Sequence, residues 1–412
     1  MHTAESDPTE KNLAVIPGTE DLPLGQRIEM YRENAKRSGD PRTQLDYAKW
    51  LMEEAGALVE GDGEEGGGSS AGAGPGNRGA QKARDAMLAE AVKWVKKLAT
   101  QGMGLGKTAY PEAQFFLANC YGNATLGLSR DHDKAFSLYV QASKQSHSAA
   151  TYRAAVCYEL GAGTKRDHGR AVQFFRKAAT LGDTAAMYKL GVILLNGLLG
   201  QAKNPREAVT WLKRAAAQAT EENPHALHEL GLCYERNIVP SIIPDEAYAR
   251  ELFTHSAQLG YAPSQFKMGC CYEYGTLTCA VDPRRSIAWY TRAAEKGDAE
   301  SELALSGWYL TGSDGVLAQS DTEAYLWARK AADKGLAKAE YAVGYYSEVG
   351  IGVKGDLEEA RRWYLRAAAQ GNKRAMARLT EMNKKGGGGR AARRVEAQGG
   401  KRPGKDEACR II

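Results

Sequence analysis

The feature that most constrains this chain is an internal repeat of about 37 residues. Five copies are clear: AVQFFRKAA from Ala171, AVTWLKRAA from Ala208, SIAWYTRAA from Ser286, AYLWARKAA from Ala324 and ARRWYLRAA from Ala360. Weaker copies start at Ala91, Ala135 and Ala249. From Ala135 onward the copies are separated by 36, 37, 41, 37, 38 and 36 residues. A period of this length is typical of arrays in which each repeat is one supersecondary unit.

Each copy has the pattern of an amphipathic helix. Its small residue, bulky pair and Ala pair fall at positions 0, +3, +4, +7 and +8, which share one helical face. Another helix, the first of each pair, is predicted before each copy. It ends at a position that is mostly aromatic, called the aromatic slot below: Tyr121, Tyr158, Leu194, Tyr234, Tyr272, Tyr309 and Ser347. Eight residues earlier a small residue recurs: Ala113, Ala150, Ala186, Ala226, Ser264, Ser301 and Ala339. Turn glycines such as Gly161 and Gly275 follow the slot by three residues, as signals that end a helix.

These patterns predict an all-α solenoid of stacked helix-turn-helix units, seven of them complete, with a partial unit at each end. Stacking buries apolar faces that a single pair leaves open, and the concave side stays available to partners. We expect a disordered segment over 1–23, a solenoid over 24–383 with a flexible Gly-rich insertion at about 60–81, and a disordered basic tail over 384–412.

The charge of the chain is concentrated in this tail. Nine Lys or Arg and three acidic residues lie between Lys384 and Ile412, so the remainder of the chain is close to neutral. A folded region that binds nucleic acid needs a positively charged surface, and the near-neutral remainder of the chain is not expected to have one. Nucleic acid is therefore not an expected partner. The polar, acidic N-terminal residues and the absence of a long apolar run predict neither a secretory signal nor a membrane span, and hence a cytosolic protein.

The stretch GMGLGKT, Gly102 to Thr108, resembles a phosphate-binding loop and raises the hypothesis of a nucleotide-hydrolysing enzyme. Such a loop needs a strand before it and a helix after it. Here a helix is predicted before it, and Gln101 stands where the motif has its first glycine. The segment is therefore interpreted as an inserted turn, with Pro111 in the first turn of the next helix.

The cysteines do not have the spacing of a metal site. Four of the seven directly precede the aromatic slot, where the repeat explains them as small buried side chains: Cys120, Cys157, Cys233 and Cys271. Cys270 and Cys279 form no zinc-finger spacing with them. No catalytic constellation and no metal site is predicted, and the Trp211, Trp289, Trp327 and Trp363 series is interpreted as core packing.

The repeats resemble the SEL-like variant of the tetratricopeptide family. The segments EAVKWVKKLATQG, TEENPHALHELGLCYERNI and LGYAPSQFKMGCCYEYG are similar to the fungal chitin synthase activators, over about Leu24 to Leu379. The resemblance includes the Pro-rich insertion IVPSIIPDE, which lies outside the repeat pattern. It implies a right-handed superhelical array and a non-catalytic subunit that binds, recruits and activates a membrane chitin synthase, promoting cell-wall and septum chitin synthesis. The chitin synthase catalytic subunit is then the expected partner.

The last four residues, CRII, fit a prenylation signal in which Cys409 accepts an isoprenoid, although Arg410 and Ile412 are imperfect occupants of their positions. One lipid gives only marginal attachment, and a basic segment supplies a second signal. The residues predicted to do so are Lys384, Lys385, Arg390, Arg393, Arg394, Lys401, Arg402 and Lys405. The expected location is the cytoplasmic face of the plasma membrane, with the septum or bud neck as candidate sites and a fraction of the protein in the cytosol. No cofactor besides this lipid is expected. The alternative is a disordered basic tail with a stray cysteine.

The fourth repeat departs from the others at HALHELG, where His225, His228 and Glu229 are candidate partner-binding residues. Their order matches no zinc protease, so a metal role is not predicted. Two other functions stay open beside the activator hypothesis: a cytosolic SEL-like adaptor for signalling or protein quality control, and the nucleotide hydrolase.

Overall fold

The computed structural model describes residues 22–60, 75–101, 109–236, 239–240 and 242–386. Within these ranges the chain forms eighteen α-helices and an isolated bridge between Ser313 and Leu317. The helices are α1 Leu24–Ser38, α2 Pro41–Glu60, α3 Pro75–Thr100, α4 Pro111–Asn123, α5 His132–Lys144, α6 Ser148–Leu160, α7 His168–Thr180, α8 Thr184–Asn196, α9 Pro205–Ala217, α10 His225–Glu235, α11 Glu246–Gln258, α12 Ala262–Tyr274, α13 Pro283–Glu295, α14 Ala299–Thr311, α15 Asp321–Asp333, α16 Ala337–Val349, α17 Leu357–Ala369 and α18 Lys373–Gly386. This is the predicted all-α architecture.

The helices form two compact units, and the boundary between the units in the sequence lies between Asn204 and Pro205. In the first unit α2 pairs with α3, α4 with α5 and α6 with α7, while α1 packs on α2 and α8 packs on α7. In the second unit α10 pairs with α11, α12 with α13, α14 with α15 and α16 with α17, while α9 packs on α10 and α18 on α17. Each pair also packs against the next, so each unit has the nearest-neighbour contacts of a repeat array.

Small side chains allow the close packing of these helices. The seven small residues predicted to lie eight positions before the aromatic slot, such as Ala150 and Ser264, are all fully or almost fully buried. A Cβ on Gly231 would lie 2.8 Å from the ring of Phe253, so this glycine leaves room for a ring from the second helix of the pair. Gly344 has the same relation to Tyr364. At these two positions the glycine is thus a packing requirement, since a Cβ would overlap the facing ring.

Helix ends are fixed by short-range signals. The second helix of a pair begins at a side-chain cap, for example Asp167 and Asp282, whose carboxylates accept hydrogen bonds from the backbone N–H three residues on. The first helix ends at a left-handed residue such as Gly161 or Gly275, as predicted. These signals set where each turn between the helices begins and ends.

Two predicted boundaries need correction. α3 begins at Pro75, so the last part of the expected flexible insertion, residues 75–81, is helical. Pro at the first position of a helix gives up no hydrogen bond, and the QKARDAMLAEA sequence that follows favours helix. α18 extends to Gly386, past the expected end of the solenoid at residue 383. Residues 1–21, 61–74 and 387–412 lie outside the described residues.

The nucleotide-loop segment, residues 102–108, also lies outside the described residues. Its flanks are described: α3 ends at Thr100 before it, and α4 follows with Pro111 at its N-terminus. A helix therefore takes the place of the strand that a phosphate-binding loop requires. Both features were predicted from the sequence.

Candidate protein-interaction surface

His228 lies at a position where other repeats place an aromatic ring. Rings at this position in the first helix contact a ring in the second helix of the same pair: Phe115 with Tyr139, Tyr152 with Phe175, His228 with Phe253, Phe266 with Tyr290, and Tyr341 with Tyr364. The centroid separations run from 5.3 Å for His228 to 6.1 Å for Phe115. The imidazole is therefore a member of the repeat framework.

A chain of hydrogen bonds fixes the His228 ring. Ser256 Oγ donates to the carbonyl of Pro224 at 3.2 Å, and Ser264 Oγ donates to Ser256 Oγ at 2.8 Å. Since the Ser264 proton is used, His228 Nδ1 donates to Ser264 Oγ across 2.8 Å. Burial lowers the pKa of His228 to about 4, with a smaller contribution from the positive charge of Lys267. The neutral ring thus connects α10, α11 and α12.

His225 and Glu229 lie one helical turn apart on α10 and are each partly exposed. His225 contacts the ring of Tyr261 edge-on at 4.8 Å, and burial lowers its pKa. Burial also raises the pKa of the Glu229 carboxyl. Within the described residues no hydrogen bond or ion pair compensates this carboxylate. Of the three predicted residues, Glu229 therefore has the most to gain from an external cation.

An ion-pair ladder explains why Glu229 is unusual. At its position in the repeat, three other first helices carry Lys189, Lys267 and Arg378, and each base forms an ion pair with an acid of the preceding first helix. The bonds are Lys189 to Glu159 at 3.0 Å, Lys267 to Glu235 at 2.5 Å, and Arg378 to Glu348 at 2.6 Å. Glu229 places an acid where the ladder has a base. The ladder was not predicted from the sequence, although the base follows its acid by 30 to 32 residues in all three pairs.

The predicted membrane-binding residues lie almost entirely beyond the described range. Lys384 is exposed near the end of α18, whereas residues 387–412, including Cys409, are outside it. The described helices include none with the length and apolar content needed to cross a membrane. The lipid anchor therefore stays a prediction from the sequence.

The cysteines and tryptophans of the described residues lie in the packing pattern. Cys120, Cys233 and Cys271 are buried free thiols as expected, while Cys157 is only half-buried. Among the described side chains there is no group of three His, Cys, Asp or Glu residues able to hold a metal ion. Trp211 and Trp363 are buried, and an arginine three residues later covers each ring at 4.9 and 4.4 Å.

Comparison with protein families decides the type of repeat. The pattern of the Sel1 repeat matches seven times without overlap, over residues 111–147, 148–183, 184–219, 224–261, 262–298, 299–336 and 337–372. The chain belongs to the Sel1 repeat family. Its seven repeats are the seven complete units predicted from the sequence.

The relatives of this Sel1 repeat protein include fungal regulators. It is 48% identical over 273 residues, 66% of its length, to chitin synthase regulatory factor 3 of Schizosaccharomyces pombe, and covers 29% of that protein. It is 36% identical over 367 residues, 87% of its length, to chitin synthase regulator SKT5 of Saccharomyces cerevisiae, and covers 50% of that protein. The predicted resemblance to fungal chitin synthase activators is confirmed. The chain spans a half or less of the length of these relatives.

A solved structure supports the fold of the Sel1 repeat protein independently. A Sel1 repeat protein from Oxalobacter formigenes superimposes with a TM-score of 0.56, at 23% identity, over 86% of this chain and 90% of that one. At this identity the likeness concerns the fold alone.

Proposed function

We propose that this Sel1 repeat protein is a non-catalytic regulatory subunit that binds, recruits and activates a membrane chitin synthase. The alignment with chitin synthase regulator SKT5 carries the proposal, because its 367 residues exceed the span of the seven repeats. The similarity therefore includes helices outside the seven Sel1 repeats. Two proteins that shared only the Sel1 repeat would not have to be similar in those helices. The chemistry of synthesis then belongs to the partner, and this chain supplies contact surface.

The contact that we propose within the repeats is at Glu229, with His225 beside it on the same turn. A lysine or arginine of the synthase would give the half-buried Glu229 carboxylate the partner that it lacks among the described residues. His228 acts as a positioning residue, since its hydrogen bond to Ser264 holds α10 against α12. The charge inversion in the ladder sets this repeat apart from its neighbours.

The proposed site of action is the cytoplasmic face of the plasma membrane. An isoprenoid on Cys409 and the basic residues from Lys384 to Lys405 would attach the protein to an anionic leaflet. Each basic residue contributes up to about 1 kcal/mol near such a surface. Attachment raises the local concentration of the repeats around a membrane enzyme, which favours a binding-induced shift toward its active state.

The test is a pull-down from fungal membranes with wild type, Cys409→Ser and Glu229→Lys, followed by assay of chitin synthase activity. Cys409→Ser should reduce membrane association and cell-wall chitin, whereas Glu229→Lys should reduce synthase capture while membrane association persists. Glu295→Lys is the matched control, because this exposed residue on α13 gives the same charge change away from α10.

Three outcomes would contradict parts of the proposal. Failure of the wild type to capture or stimulate a chitin synthase removes the function itself. Retention of both membrane association and chitin by Cys409→Ser favours the cytosolic adaptor. Saturable nucleotide binding, lost on Lys107→Ala, would restore the hydrolase hypothesis for residues 102–108.

A further inference from the structure

A basic cavity lies between α1 and α3, outside the seven Sel1 repeats. Its volume is about 610 Å³, within the range of ligand-binding clefts. It is lined by Arg32, Lys36, Glu90, Lys93, Trp94 and Lys97. Four of these side chains are cationic and one is acidic, so the cavity carries a net positive charge. Neither the repeat pattern nor the proposed contact at α10 accounts for it.

The single acid of the cavity is already neutralised. Arg32 donates from Nε and Nη2 to the two oxygens of Glu90, each at 2.7 Å, and Tyr47 donates to Glu90 at 3.0 Å. These bonds hold the pKa of Glu90 below its usual range, so it stays ionised. The charge of Glu90 is therefore already paired with Arg32 and does not neutralise the three lysines.

The three lysines have no acidic partner among the described residues. Lys36, Lys93 and Lys97 are exposed at the cavity, and Lys97 lies 5.5 Å from the centre of the Trp94 ring. Lys93 and Lys97 are one turn apart on α3, and Lys36 is one turn from Arg32 on α1. Cations thus line both walls with a spacing of about 6 Å along each helix.

This spacing fits acidic side chains on a peptide. Alternate residues of an extended chain point the same way about 6.5 Å apart, and successive turns of a helix give a similar repeat. The indole of Trp94 lies edge-on to Tyr47 at 6.1 Å and is half-buried, so it offers a surface for an apolar side chain inside the cavity. A bilayer would require projecting apolar residues, and the cavity lining has none.

From this geometry we propose that the cavity between α1 and α3 is a docking site for an acidic segment of a partner protein. Carboxylates of the segment bind Lys36, Lys93 and Lys97, and an apolar or aromatic residue between them packs on Trp94. The inference depends on charge and shape alone and holds for any partner that carries such a segment.

The experiment is fluorescence anisotropy of the full chain with a fluorescein-labelled peptide that alternates glutamate and alanine around a central tyrosine. The wild type should bind the peptide, and added salt should weaken binding. Lys36→Glu/Lys93→Glu replaces one cation on each wall and should weaken binding by about tenfold or more, because attraction becomes repulsion. Lys97→Gln should weaken it by less, in the same direction.

The matched control is Lys144→Glu/Lys165→Glu. It makes the same charge change at exposed positions of the same unit, and Lys144, like Lys36, lies in the last turn of its helix. This variant should keep the wild-type affinity within about twofold, since distant exposed charges are screened. Circular dichroism confirms that each variant is folded.

Three results would overturn the proposal. The first is equal affinity of wild type and Lys36→Glu/Lys93→Glu for the acidic peptide. The second is equal binding of a peptide with glutamine in place of glutamate. The third is failure to bind the peptide while the wild type binds phosphatidylserine vesicles and Lys36→Glu/Lys93→Glu does not, which would assign the cavity to a lipid surface.

Discussion

Gly269 of α12 lies directly against the ring of Tyr290 in α13, and a Cβ on Gly269 would come within 2.5 Å of two ring carbons. The ring has no room to retreat, because Tyr290 is almost fully buried. Its hydroxyl donates to Glu273 at 2.7 Å and lies 3.3 Å from the Cys270 sulfur. Both of these partners belong to α12, so the helix that would carry the new methyl also holds the ring in place.

Gly269→Ala should therefore destabilise the second unit. Alanine gains up to about 1 kcal/mol of helix propensity over glycine. Overpacking costs about 1–3 kcal/mol, and here it exceeds the propensity gain. The expected net result is a lower midpoint in thermal unfolding followed by circular dichroism.

Gly56→Ala is the control for this substitution. Gly56 is exposed in α2, and a Cβ there has nothing within 4 Å. The same change should leave stability unchanged or raise it by up to about 1 kcal/mol. If both variants shifted the midpoint equally, glycine–ring packing would not limit the repeat.

A second prediction concerns Glu302, which is fully buried in α14. Its Oε1 accepts a hydrogen bond from Lys334 at 2.8 Å and forms an ion pair with Lys330 at 3.0 Å, and both lysines are partly exposed. Removing both bases with Lys330→Met/Lys334→Met leaves a buried, uncompensated carboxylate and should cost about 3–5 kcal/mol of unfolding free energy.

Glu302→Gln should cost less, about 1 kcal/mol, because the lysines left behind can be solvated. Adding Glu302→Gln to the double lysine variant should recover most of its stability. Denaturant unfolding of the four proteins measures the coupling. A triple variant as unstable as the double would show that the lysines act through packing.

The sequence was sufficient to predict the repeat itself. Its periodicity placed each helix face, the buried small residues such as Ala150 and the turn glycines such as Gly161, because these depend on contacts within one or two turns. His228 could also have been placed, since counting from the aromatic slot puts it in register with Phe115 and Phe266. By residue type alone a histidine departs from the pattern, whereas by register it takes the place of an aromatic ring.

The remaining features depend on contacts that local periodicity does not encode. The basic cavity joins Lys36 of α1 to Lys93 of α3 across 57 residues, and only the packing of those helices brings them together. The start of α3 at Pro75 could not be predicted in this way, because the glycines up to Gly79 are typical of a flexible segment. Glycine lowers helix propensity, but longer favourable sequence after it can extend a helix through such a position.

His228 gives a prediction about pH. Its pKa is lowered from an ordinary value of 6.5 to about 4 in the folded chain. Between these values the unfolded chain binds a proton that the folded chain does not, so stability falls as pH decreases from about 7 to about 4. The largest loss is about 3 kcal/mol at pH 4, and above pH 7 the residue has no such effect.

His228→Phe tests this dependence, because phenylalanine is the residue of the same position at Phe115 and Phe266 and cannot titrate. The variant loses the bond to Ser264, so its unfolding free energy at pH 7.5 should be lower than that of the wild type by about 1–2 kcal/mol. The difference should shrink or reverse toward pH 4.5. Parallel pH profiles would mean that His228 is protonated equally in both states.

The last prediction concerns the helix that ends the described array. Arg378 of α18 binds two acids: Glu348 of α16 through two bonds at 2.6 and 2.9 Å, and Glu381 at 2.8 Å. Glu348 also accepts from Tyr364 at 2.8 Å and has 14% side-chain exposure, whereas Glu381 has 58%. Glu348→Gln should weaken the docking of α18 by about 1–3 kcal/mol, because it removes a charge from a partly buried network.

Hydrogen exchange read by mass spectrometry measures this effect locally. Glu348→Gln should speed exchange over residues 373–386 by about tenfold, since 1.4 kcal/mol corresponds to that factor, while α10 to α13 stay unchanged. Glu381→Gln, the same chemical change at an exposed pair, should have almost no effect because such pairs contribute little. If neither variant sped exchange, α18 would be held by its apolar face, at Ala375 and Leu379, rather than by the buried ion pair.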